Sequence, residues 1–114
     1  MKKAVFYFVL FTVFSACQQD EMPAGLPACV KEKINQLKNK STQNPPAKVW
    51  QYQYKGQTVY YFPPACCDQM GELYDEHCNL ICHPDGGITG RGDGKCEDFF
   101  ASRQNEKLVW EDKR

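Results

Sequence analysis

The apolar positions of this chain change their spacing several times, and each spacing predicts a different element. From Ala4 to Phe14 the chain is apolar almost without interruption, directly behind Lys2 and Lys3. Such a run is too short for a bilayer span, which takes roughly 20 apolar residues. With its basic start and the small residues Ser15 and Ala16 behind it, it reads as a secretory signal over residues 1–16. Further on, Val30, Ile34 and Leu37 recur at intervals of four and three, a single helical stripe. Pro27 suits the first turn of that helix, Lys38 and Lys40 suit its end, and the stretch from Ser41 to Pro46 stops it, so the spacing predicts a helix from about residue 27 to about residue 40.

The spacing then switches to two. In KVWQYQYKGQTVYYF, Trp50, Tyr52 and Tyr54 alternate with Gln51 and Gln53, and Thr58 to Phe62 is β-branched or aromatic throughout. This predicts a hairpin, with a type I turn at Tyr54-Lys55 and a left-handed Gly56, ended by Pro63-Pro64. Its aromatic side chains are expected to cover the helix, because the helical stripe needs an apolar partner. Leu73-Tyr74 and Leu80-Ile81 predict a second, shorter hairpin. A short helix is expected from Glu97 to Arg103 with Phe99 and Phe100 inward, then a last strand at Leu108-Val109-Trp110. The fold expected is α+β: one N-terminal helix packed on a small antiparallel sheet of hairpins, stapled by disulfides, as a single domain over residues 27–114.

Cysteine usage sharpens this. Behind the signal, Phe14-Ser15-Ala16-Cys17 resembles the lipobox of bacterial lipoproteins, in which the cysteine is acylated and becomes the mature N-terminus. That resemblance implies lipid attachment at Cys17, a membrane partner, and a tether over residues 17–26. The Gln18-Gln19-Asp20-Glu21 stretch looks like the acidic export signals of surface lipoproteins in Bacteroidota, which implies an outer-membrane and surface location. Six further cysteines remain: Cys29, Cys66, Cys67, Cys78, Cys82 and Cys96. In an exported chain an even number reads as a disulfide framework. A Cys66–Cys67 pair would strain the intervening peptide. Cys78 and Cys82 on one strand would stand roughly 13 Å apart, beyond the reach of a bridge. The other pairings stay open. A zinc site from Cys78, Cys82, His83 and Cys66 or Cys67 is the competing reading, and the oxidising compartment weighs against it.

Charge excludes one class of partner. Without residues 1–16 the chain keeps 12 basic and 14 acidic residues, a net charge of −2, with no basic stripe for nucleic acid.

The segment PDGGITGRGDGKC, residues 84 to 96, is the remaining candidate for chemistry. A phosphate loop fails because Thr89 stands where a glycine is needed and Cys96 where Ser or Thr is needed. Arg91-Gly92-Asp93 is an adhesion tripeptide, a short and common match. Calcium is the stronger alternative, since Asp85, Asp93 and Asp98 supply hard oxygen ligands, yet an EF-hand loop starting at Asp85 would end on Cys96 rather than Glu. The preferred reading is structural: glycines there admit positive φ and close backbone approach beside Cys82 and Cys96, with Asp93 a solvated loop carboxylate. No cofactor is expected beyond that calcium alternative.

Catalytic groups are sparse. His77 and His83 are the only histidines, no Gly-x-Ser-x-Gly elbow occurs, and the one Cys–His neighbour pair, Cys82-His83, loses its nucleophile once oxidised. No catalytic residue is assigned, and a small hydrolase ranks last among the alternatives. From PPAKVWQYQYKGQTVYYFPPACCDQ through PDGGITGRGDGKCEDFF to LVWEDKR, the chain resembles a family of small lipoprotein domains of unknown function from Bacteroidota. The resemblance spans roughly residues 27 to 114. It implies location and fold and no activity, so the expected role is an interaction module for a protein or a glycan.

Overall fold

In the computed structural model, residues 22–66 and 68–114 are described. The signal, Cys17, the acidic stretch behind it and Cys67 lie outside these residues. Helix α1 runs Ala28–Lys38, and five strands follow: β1 Lys48–Tyr54, β2 Gln57–Phe62, β3 Glu72–Asp75, β4 Leu80–Cys82 and β5 Gln104–Glu111, with the short helix α2, Phe99–Ser102, before β5. The strands form one antiparallel sheet in the order β4-β3-β2-β1-β5. The architecture is therefore α+β, as the spacing predicts.

Pro27 lacks an N–H, which suits a residue just outside the first turn, and its carbonyl accepts from the amides of Val30 and Lys31. Val30 and Ile34 are fully buried on the sheet and Leu37 is half-buried beside them. At the other end, the Arg114 guanidinium donates to the carbonyls of Leu37 and Lys38 at 3.1 and 2.8 Å. That bond satisfies acceptors a helix C-terminus leaves unpaired. Leu26 and Met22, in the segment expected as a tether, already pack on this core.

The hairpin aromatics are not all under the helix. Strand alternation divides them: Tyr60 and Phe62 face α1 with Val49, Val109 and Trp110, while Tyr52, Tyr54, Tyr61 and Val59 face the opposite side. There Phe99 meets three tyrosine rings at centroid distances of 5.3 to 5.7 Å. The sheet is thus covered on both faces, by α1 on one and by α2 with the glycine-rich loop on the other. The expectation that the hairpin aromatics cover the helix holds only for Tyr60 and Phe62; Trp50, Tyr52, Tyr54 and Tyr61 pack on the other face, because consecutive positions 60, 61 and 62 point to alternate sides.

Two further expectations change. Lys55 and Gly56 both have positive φ, 49° and 76°, and Tyr54 pairs with Gln57. This is the mirror-image two-residue turn whose twist matches the strands, in place of a type I turn with a following glycine. Phe100 is 39% exposed rather than inward, because a helix of four residues can bury only one side and Phe99 takes it.

Candidate functional site

Two disulfides are described. Cys29–Cys78 joins the first turn of α1 to the β3–β4 turn, and Cys82–Cys96 joins the end of β4 to the segment before α2, with Cα separations of 5.7 and 6.2 Å. Cys66 is disulfide-bonded as well. Cys78 and Cys82 do not pair, in line with strand geometry, and the exclusion of Cys66–Cys67 falls on Cys67, outside the described residues. With these sulfurs oxidised, the zinc reading loses its thiolates and Cys82 cannot act as a nucleophile. Disulfides of this kind belong to an oxidising compartment outside the cytosol. Among the described residues no helix is long and apolar enough to cross a membrane.

The loop from Pro84 to Lys95 is knitted into the fold by its backbone. Gly71 N–H donates to the Asp85 carbonyl, Gly87 N–H to Gln69, Gly92 N–H to Gly86 and Asp93 N–H to His83, all at 3.0 Å. Gly86 and Gly92 carry the close approaches. Both have positive φ, and a Cβ would run into the Gln69 carbonyl at Gly86 and into the His83 carbonyl at Gly92. Gly86 and Gly92 serve close backbone contact, and all five glycines of the loop have positive φ, as expected.

Asp93 is half-exposed but not without partners. Its Oδ2 accepts from the His83 amide at 3.1 Å and its Oδ1 from the Lys95 amide at 3.0 Å. Burial opposes ionisation, but those two amides outweigh it and hold the carboxyl below the usual aspartate range. An adhesion receptor would find this acid already engaged.

The other two calcium candidates serve tyrosines. Asp85 Oδ2 accepts from the Tyr61 hydroxyl and Asp98 Oδ1 from the Tyr54 hydroxyl, each at 2.5 Å, and Lys55 stands 3.8 Å from Asp98. Glu106 takes the Tyr52 hydroxyl at 2.7 Å. Burial, then the carboxylate partner, pushes the Tyr52 hydroxyl up to about 12 and the Tyr61 hydroxyl far above its ordinary range. Burial and Asp98 push the Tyr54 hydroxyl up as well, so all three stay protonated as donors. Among the described residues no group of three or more His, Cys, Asp or Glu is placed to hold a metal ion. Asp85 Oδ1 is buried without a partner, tight against Gly71. Sequence reasoning missed these tyrosine–carboxylate pairs because the partners stand 24 to 54 residues apart.

Among the described residues, two surfaces present exposed or concave features. At the loop tip, Gly90 N–H donates to Gly87 O and closes a turn around Ile88 and Thr89. Ile88 is 96% exposed there, with the half-exposed Met70 lying against Gly87 and the exposed Arg91 close in sequence. The second surface is a groove of about 290 Å³ between α1 and the proline-rich ends of β1 and β2, over Phe62. In it Lys33 reaches Glu72 at 3.1 Å and lies 4.8 Å from the Tyr74 ring centroid. The Tyr74 hydroxyl also donates to Glu72. Nothing in the sequence pattern marks this groove, whose walls come from segments far apart in the chain.

The family model of a domain of unknown function, DUF6970, matches residues 35–112. The chain belongs to the DUF6970 family. The match takes in the whole sheet, the glycine-rich loop and α2, and begins inside α1. No match was found among curated proteins or among solved structures.

Proposed function

We propose that this DUF6970 protein is a lipoprotein, acylated at Cys17 and carried on the outer membrane at the cell surface, whose domain is an interaction module that docks on a partner protein through the glycine-loop tip. The lipobox-like Phe14-Ser15-Ala16-Cys17 and the disulfides support the anchored, exported location. The observation that carries the docking role is Ile88, almost wholly exposed on a turn fixed by backbone hydrogen bonds and closed by Cys82–Cys96. A pre-ordered apolar side chain enters a partner's pocket with little further loss of chain freedom. Met70 widens the apolar contact and Arg91 gives it a cationic rim, and both residue types are enriched at protein interfaces. An aliphatic tip favours a protein over a glycan, which is bound mainly through hydroxyls.

Two measurements test this reading. Cys17→Ala releases the protein from membrane fractions; a variant that still sediments with lipid removes the anchor. A photo-crosslinking residue at position 88, in the cells that make the protein, gives one discrete heavier adduct that Arg91→Glu weakens and that a probe at position 107 on β5 does not give. Equal adducts from both positions, or none from position 88, overturn the docking role.

A further inference from the structure

We propose that the groove between α1 and the prolines that bracket the β1–β2 hairpin binds a small organic carboxylate with an apolar body. This does not rest on the loop tip, with which the groove shares Met70 alone. The cavity, about 290 Å³, is just below the usual range for small-molecule sites and so admits only a small ligand. Its floor is apolar, with Phe62 and Leu37, and Pro45-Pro46 and Pro63-Pro64 form walls with few rotatable bonds. Such walls hold their shape without a ligand, which lowers the entropy lost on binding.

The charge lining the groove is unbalanced. Lys33, Lys40 and Lys48 contribute three ammonium groups and Glu72 the one carboxylate. Glu72 is already occupied by Lys33 and by the Tyr74 hydroxyl, so it neutralises Lys33 alone. Among the described residues Lys48 pairs with Glu111, at 4.0 Å with both side chains more than a third exposed, an interaction worth little in water. Lys40 is exposed beyond the end of α1. Lys40 and Lys48 thus line a concave, partly apolar space that holds no carboxylate to neutralise them, and low-dielectric walls focus the field of charges at its rim. A carboxylate meets them, and an aliphatic or aromatic body covers the floor. A neutral hydrophobe would leave both lysines unused, and a long acidic peptide would exceed the cavity.

The test uses the full-length protein and follows backbone amide NMR shifts on addition of phenylacetate and adipate, with phenylacetamide as the neutral control. Saturable shifts are expected at groove residues around Lys33–Lys40, weakening roughly tenfold in Lys40→Gln/Lys48→Gln and further with added salt. Because both lysines are exposed or half-exposed, this double variant keeps its fold, checked by an unchanged spectrum elsewhere. Four results overturn the proposal: equal binding of phenylacetamide, undiminished binding by the double variant, no saturable shift with either carboxylate up to about 10 mM, or binding of a glutamate-rich peptide while both carboxylates fail.

Discussion

Gly92 and Gly90 share a positive φ, 65° and 77°, yet only Gly92 meets backbone where a side chain would begin. Alanine at either position takes on the left-handed strain of about 1–2 kcal/mol. At Gly92 it must also displace the His83 carbonyl, which accepts the Asp93 amide. Gly92→Ala is expected to cost at least about 2 kcal/mol more than Gly90→Ala, measured by urea unfolding. Equal losses would mean the loop yields without disturbing His83. Asp93 gives a second residue-scale test. Its folded pKa is depressed, so its contribution is fully present above the unfolded value near 3.9 and is lost as pH falls through the folded value. Asp93→Asn therefore lowers stability at neutral pH, and its deficit against the wild type shrinks below about pH 4. A deficit that stays constant from about pH 7 to pH 3 would show that the amides of His83 and Lys95 do not depend on the charge.

At the scale of elements, legibility followed periodicity. The stripe Val30, Ile34, Leu37 and the alternation through β1 name their elements because one face of each is apolar and the other polar. The second hairpin was also legible, with Asp75 bonding the amides of His77 and Asn79 across its turn. β5 was read only at Leu108–Trp110, because Gln104 to Lys107 is exposed and polar and carries no alternation; pairing with β1 alone makes it a strand. The division of aromatics between two faces was written in Tyr60-Tyr61-Phe62, but an apolar run does not say what covers each side. Of what covers the second face, α2 was legible behind Glu97-Asp98, whereas the glycine loop carries no helical or strand signal. The candidate site was legible only in part. Glycine function at the loop followed from composition, while the hydrogen bonds of Asp85, Asp93 and Asp98 depend on contacts that no local pattern encodes.

For the whole molecule, the sheet lies between two covers, and each described disulfide ties one cover to it. Helix α1 has eleven residues and buries only Val30 and Ile34 completely, so its hold on the sheet through packing is modest. Cys29–Cys78 spans 49 residues of sequence, and Cys82–Cys96 spans 14. The loop-entropy relation assigns about 4 kcal/mol to the first and about 3 kcal/mol to the second. Because Cys78 is exposed and Cys29 only half-buried, Cys29→Ala/Cys78→Ala leaves little cavity, so its loss reports the cross-link itself. Urea unfolding of that double variant is expected to lose about 4 kcal/mol, a large share of the roughly 5–15 kcal/mol that holds a domain together. Far-ultraviolet circular dichroism would lose helical signal before the sheet unfolds. A loss below about 1 kcal/mol, with the helical signal intact, would mean that packing on Val49, Tyr60 and Trp110 holds α1 unaided.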